Sequence, residues 1–160
     1  MFAIEAGGLD EAAGRLDRLP GALVSALSAK AAELAATLAD RVKTGKLAGE
    51  VLNLRSGALQ ASIAAAVSAD GDGFVAAVGS IGDVKYAAIQ EYGGKTGAHE
   101  ILPSKAHVLA FMGSGAQRYA WKVQHPGSAI PERSYLRASL DEMSDDIVAA
   151  LSDVAVEAWG

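Results

Sequence analysis

The chain has 160 residues, 51% of them hydrophobic, with a mean hydropathy of +0.20, so disorder through low hydrophobicity is excluded and one domain with a real core is expected. A net charge of −5, a pI near 5.1 and the lack of any cluster of Lys and Arg argue against binding a nucleic acid duplex from outside. There is no cysteine, which excludes disulfides and thiolate metal sites.

The first residues, Met1-Phe2-Ala3-Ile4-Glu5-Ala6-Gly7-Gly8, lack the basic head and long apolar core of a signal peptide. No apolar run approaches the roughly 20 residues that span a bilayer, so synthesis in the cytoplasm without a membrane partner is expected. Leu16, Leu19, Leu23, Leu27, Leu34, Leu38 and Val42 recur at helical spacing. Pro20 divides that stripe into a mobile lead-in over 1–19 and a long helix from about Pro20 to Lys43, roughly 36 Å in length. Thr44-Gly45 predicts its stop, and residues 46–55 read as a connector. Much of the hydrophobic fraction is alanine, which favours helix but buries little area. A core this thin is often completed by oligomerisation.

Ser56-Gly57 opens a short helical turn, with the Ser56 hydroxyl available to cap it. Ser62–Ala69 and Phe74–Ser80 read as a hairpin around Asp70-Gly71-Asp72-Gly73, because Asp-Gly pairs supply the positive backbone angles of a tight turn. Tyr86–Tyr92 predicts a two-turn helix ended by Gly93-Gly94, and the small, polar stretch 93–100 a mobile loop. Ile101-Leu102, Val108–Met112 and Tyr119–Gln124 are strand candidates, with Gly113-Ser114-Gly115 turning between the last two. A proline-punctuated crossing, His125–Arg133, leads to a final helix from about Ser134 to Ala158. Its apolar side is Leu136, Leu140, Met143, Ile147, Leu151, Val154 and Ala158, with Asp141, Glu142, Asp145 and Asp146 outside. The expectation is a single α+β domain over 1–160: a long N-terminal helix, an antiparallel sheet of four or five strands with a short inserted helix, and a C-terminal helix packed on the sheet.

Candidate chemistry is sparse. Gly93-Gly94-Lys95-Thr96 resembles the end of a phosphate-binding loop, but Ile89 stands where the leading glycine is required, and a helix rather than a strand precedes it. His99, His107 and His125 match no compact ligand spacing, so His125 reads as orienting a turn through a hydrogen bond. The acids at 141, 142, 145 and 146 fit the solvated side of a helix. No serine sits in a nucleophile elbow. No catalytic residue, cofactor or metal is therefore expected. Arg55 and Arg133 lie in irregular segments where a guanidinium can tie carbonyls or a carboxylate together, with Glu91 as a candidate partner. Three solvated charges account for the same residues equally well.

Five fragments occur in a telling order: Arg55-Ser56-Gly57-Ala58-Leu59-Gln60-Ala61-Ser62-Ile63, Tyr86 to Gly93, Ile101 to Phe111, His125-Pro126-Gly127, and Pro131 to Leu136. They follow an Arg-Ser/Thr-Gly-x-Leu-x-x-Ser-Ile pattern, a Tyr-Ala-x-x-x-Glu-aromatic-Gly pattern, a strand pair around a proline, a His-Pro-Gly turn and a Pro-x-Arg-x-aromatic-Leu pattern. Over roughly 45–142 the chain thereby resembles the virion morphogenesis and tail-completion family of tailed bacteriophages. Gln60 and Ala61 depart from it where basic residues are common, and Ser134 where a proline is often found.

The resemblance implies a structural protein of the tail or head–tail junction in a phage, prophage or phage-like particle, acting by ring-like self-association and docking. Its implied partners are itself, in a ring that is sixfold for a tail-end component, and neighbouring tail or connector proteins. DNA would pass through the ring without sequence-specific binding. The residues implied to shape those contacts are Arg55, Gly57, Leu59, Tyr86, Glu91, Tyr92, Gly93, Lys95, His125, Pro126, Gly127, Arg133 and Tyr135. A tail terminator or a non-virion assembly chaperone is the alternative, and a small hydrolase a more distant one.

Overall fold

The computed structural model describes residues 21–71, 73–104, 107–113 and 115–157, so the predicted lead-in helix lies outside the described residues. Helix α1 runs Gly21–Arg41 and continues without a break into a π-helical segment, Val42–Glu50. The expected stop at Thr44-Gly45 does not occur. Thr44 Oγ1 donates to the Asp40 carbonyl at 2.9 Å, while Val42 and Leu47 are buried on either side of it. Packing thus carries the chain past a residue pair that local propensity would end on. The helix breaks only where Gly49 takes φ +136.

The buried side of α1 is Leu23, Leu27, Ala31, Ala35, Leu38 and Ala39. Leu34, counted in the predicted stripe, is only half-buried, and alanines take part of the inner side. Small side chains let α1 lie close against what it packs on, the C-terminal helix and a β-hairpin. Gly21–Glu50 is also long and apolar enough, by length and composition alone, to cross a membrane. A third of its apolar window is buried inside this fold. That is the burial of a helix serving as one wall of a core.

Helix α2, Ala58–Ser62, starts from Gly57 at φ +73 and passes directly into strand β1, Ile63–Asp70. Strand β2, Gly73–Ser80, returns antiparallel, with Ile63 opposite Ser80 and Asp70 opposite Gly73. Gly71, at φ +57, supplies the positive angle the tight turn needs. Helix α3, Ala87–Tyr92, follows as predicted and ends at Gly93, φ +68.

The strands beyond it do not join one sheet of four or five. They form three further two-stranded ladders, nested inside one another. Strand β3, Gly94–Lys95, pairs with β8, Ala129–Ile130. Strand β4, His99–Ile101, pairs with β7, Val123–His125. Strand β5, Leu109–Gly113, pairs with β6, Ala116–Ala120. The register is shared: Gly94↔Ile130 and His99↔His125 belong to the same antiparallel alignment. The described residues of 94–130 thus form a two-stranded ribbon of three separate ladders, the innermost in a different register (Leu109↔Ala120). Of the stretch 93–100, expected as a loop, Gly94-Lys95 and His99-Glu100 are strand while 96–98 are not. Helix α4, Leu136–Glu157, closes the chain and packs mainly on α1 and the π-helical segment rather than on a sheet. The α+β class and the helix–strands–helix order stand, with the helices supplying most of the core.

Candidate functional site

One buried cluster joins three of the five fragments singled out in the sequence, Arg55–Ile63, Tyr86–Gly93 and Pro131–Leu136, to the first helix. It contains Leu38, Ala39, Val42 and Leu47 from the first helix, Leu59 and Ile63 from α2 and β1, Ala87 from α3, Tyr135 just before α4, and Leu136 and Met143 within it. The buried polar side chains among the described residues are Ser62, Ser80, Glu91 and Ser139.

Glu91 is 2% exposed. It reaches the start of α4, where the first N–H groups of any helix lack an intrahelical acceptor. Glu91 Oε2 accepts from the Tyr135 N–H at 2.8 Å and the Leu136 N–H at 2.9 Å. Its Oε1 accepts from the Arg137 N–H at 3.0 Å and the Ser134 hydroxyl at 2.7 Å. The Ala138 N–H in turn reaches Ser134 Oγ at 3.3 Å. A carboxylate from a helix more than forty residues earlier thus caps α4 and sits at the positive end of its dipole. Burial pushes the Glu91 carboxyl up, but the hydrogen bonds from Leu136, Arg137, Ser134 and Tyr135 outweigh it and hold the group below the usual carboxylate range.

The anticipated ion pairs of Glu91 do not form. Among the described residues no ion pair joins it to Arg55 or Arg133, whose side chains are exposed. Arg133 contributes its backbone instead, donating its N–H to the Gln90 carbonyl at 2.9 Å. Desolvated backbone donors fill the role proposed for a guanidinium, because a helix terminus already carries them in a fixed array.

Tyr135 is fully buried, and its hydroxyl donates to the Ala87 carbonyl at 3.3 Å. Burial, and then the Glu91 carboxylate beside it, push its phenol up, out of any physiological range. Ser139 donates to the Tyr135 carbonyl at 2.7 Å, and Ser62 and Ser80 share a hydrogen bond of 2.8 Å that closes the open end of the β1–β2 hairpin. These polar groups are satisfied within the fold.

At the base of the ribbon, His125 Nδ1 accepts the Gly127 N–H at 3.0 Å, the turn-orienting bond expected from sequence. The ring stacks on His99 across the ladder with centroids 5.0 Å apart. Gly127 takes φ +90, and a Cβ there would run into the Thr96 carbonyl oxygen. A Cβ on Gly93 would lie 2.7 Å from the Glu132 nitrogen. Thr96 fastens this crossing: its N–H donates to the Ser128 carbonyl at 2.9 Å and its Oγ1 accepts from the Ser128 N–H at 2.8 Å. Pro126 and Lys95 are exposed beside it. Lys95 lies in β3, with α3 before it and a strand partner across from it, the reverse of the strand–loop–helix order a phosphate loop needs.

Tyr86, just before α3, and Tyr92, at its end, are exposed, while Leu59 and Tyr135 are buried. Glu142, expected on a solvated face, is bound by Arg41 and Lys46, each at 2.7 Å, and ties α4 to the first helix. Those two cations hold its carboxyl below its ordinary range. That clamp, the Ser62–Ser80 pair and Ser139 were not anticipated. Only Ser62 carried a signal, its place in the Arg55–Ile63 fragment. Among the described residues no group of three or more His, Asp or Glu is placed to hold a metal ion.

The contrast with the ribbon is sharp. Met112 and Trp121 are each 74% exposed and Tyr119 is 65% exposed, with Leu102 and Phe111 exposed near them. Comparison with family models, with curated proteins and with solved structures finds no match for this chain.

Proposed function

We propose that the chain is a structural component of a phage, prophage or phage-like particle that works in tail completion or head–tail joining by associating with itself and docking on neighbours. The observation that carries this reading is the division of labour among the fragments behind the family resemblance. Leu59, Ser62, Ala87, Glu91 and Tyr135 are spent on a buried hub whose hydrogen bonds end inside the fold. Gly93, His125 and Gly127 shape the root of a ribbon whose large apolar side chains are exposed. Chemistry on a substrate calls for converging polar groups left open to a ligand. A hub closed on itself under an exposed apolar ribbon fits a docking part instead.

The test is the particle. Deleting the gene in a producing strain leaves heads and tails unjoined or tails unfinished in electron micrographs. Mass spectrometry of purified particles finds the chain at a fixed copy number per tail. Finding the chain only in the soluble fraction, with particles complete without it, rejects this reading. Loss of particles with the chain absent from finished ones assigns it to the assembly chaperones.

A further inference from the structure

The ribbon and the rest of the chain differ in charge as well as in exposure. Residues 94–130 hold four basic residues (Lys95, Lys105, Arg118 and Lys122) against one acid, Glu100. They account for +3 of the net −5, which leaves −8 on the remainder. Among the described residues no strand of the ribbon makes extensive contact with a helix. Among the described residues both outer edges of the β5–β6 ladder are open, since each strand pairs only with the other. An open edge lined with exposed aromatics is a surface that folded proteins normally cover.

The same chain carries a complementary surface. On α4 the residues opposite the buried Leu136, Ser139 and Met143 are Asp141, Asp145, Val148, Ser152 and Val156, all exposed. Helical spacing puts them on one outward stripe. Val148 and Val156 are 65% and 72% exposed, and among the described residues neither aspartate has an ion-pair partner. From Asp141 to Val156 the stripe runs roughly 23 Å, and the five-residue β5–β6 ladder spans roughly 17 Å, so the stripe is long enough to take the whole ladder.

We infer that the β5–β6 end of the ribbon docks along the outer stripe of α4 in a second copy of this chain. Cross-strand pairing places Tyr119 with Ala110, and Met112 with Gln117, on one face, while Arg118 and Phe111 share the other. A helix lying along the open edge of β6 meets Tyr119 on one face and Arg118 on the other, with Trp121 and Lys122 just past the end of the strand. The valines of the stripe take the aromatic contact and its aspartates the basic one. The carboxylates also give the unpaired N–H groups of the edge an acceptor. Lys122 lies 3.0 Å from Glu100 yet stays mostly exposed, so its charge is available to a partner. Aromatic side chains bury about 150–250 Å² each, enough for a few of them to supply much of the roughly 1,000 Å² that a specific interface needs. The two surfaces are different, so the contact is heterologous. Every copy offers a free ribbon and a free helix, and association continues until a ring closes.

This contact rests on the self-association in the proposed function, and the two separate experimentally. Sedimentation velocity of the full chain over a wide concentration range gives the assembly state. Charge reversal on the ribbon (Arg118→Glu with Lys122→Glu) or on the helix (Asp141→Lys with Asp145→Lys) raises the dissociation constant about tenfold or more. Circular dichroism of each variant keeps its native form. The two variants mixed assemble again in alternation, because native ribbon meets native helix at one contact and reversed ribbon meets reversed helix at the next. All four substitutions in one chain restore assembly, since reversed ribbon then meets reversed helix. Assembly that survives either reversal overturns the ribbon–helix contact and leaves a particle role standing. A chain that stays monomeric at every concentration overturns it as well. Reversal that abolishes capture of DNA while assembly is unchanged assigns the basic ribbon to a nucleic acid instead. Absence of the chain from particles, with the charge swap still working, removes the particle role alone.

Discussion

The hub around Glu91 and the ribbon over 94–130 use the same residue types to opposite ends. In the hub a carboxylate, a tyrosine and three serines are buried, and each finds a hydrogen-bond partner within the fold. In the ribbon, tyrosine, tryptophan, methionine and arginine stand exposed, and their neighbours in the fold are few. Burial makes a hydrogen bond necessary, because an unsatisfied group costs far more there than in water. The hub is therefore where substitutions damage the fold, and the ribbon is where they leave the fold intact and alter what it meets.

The largest expected effect is at Glu91. Glu91→Ala strands three N–H groups at the start of α4 and leaves a cavity, at a cost of about 3 kcal/mol or more. Urea unfolding measures it, and a loss under about 1 kcal/mol would mean that water satisfies the helix end as well as the carboxylate does. The pH dependence has a definite sign. The folded Glu91 carboxyl lies below its unfolded value of about 4.3. Its stabilisation is complete above that value and is lost as pH falls through the lower, folded one. Glu91→Gln lowers stability at neutral pH and flattens this part of the acid-side decline.

An intermediate effect marks the border between the regions. Gly127→Ala forces a Cβ toward the Thr96 carbonyl at a positive φ, which costs about 2 kcal/mol. The loss is local: amide exchange at Thr96, Ser128 and Ala129 accelerates, while Leu136 to Met143 keep their protection. Acceleration throughout α4 would show that the ribbon base and the hub unfold as one unit. His125→Ala removes a single acceptor and one stacked ring from the same turn, and about 1 kcal/mol is expected.

What the sequence disclosed follows the range of each interaction. The His125 bond to Gly127 spans two residues, so a His-Pro-Gly turn announces it. The hairpin around Asp70–Gly73 is equally local. Glu91 stood out as a lone acid on an apolar helix, but its partners were illegible, because backbone N–H groups are the same at every residue. The ribbon was misread for a related reason. Its first strand is glycine-rich and polar and has no strand pattern of its own; its hydrogen bonds come from residues about thirty positions later. The helix stop at Thr44-Gly45 failed because Val42, Leu47 and the Lys46–Glu142 pair hold that segment against the core. Alanine as a wall-forming residue at 31, 35 and 39 was hidden by the larger leucines beside it.

The smallest effect on stability is expected from the ribbon's outer side chains, and it discriminates most between the regions. Tyr119→Ser and Trp121→Ser remove large apolar groups that remain mostly exposed in the folded chain. Little burial is lost with them, so unfolding free energy stays within about 0.5 kcal/mol of the parent. The Ala110↔Tyr119 pairing loses one cross-strand contact, worth a few tenths of a kcal/mol at most in a solvent-exposed ladder. If instead either serine variant destabilises the chain as much as Glu91→Ala does, these rings are covered by the chain itself. The ribbon would then belong to the core, and the partition between a closed hub and an open arm would collapse.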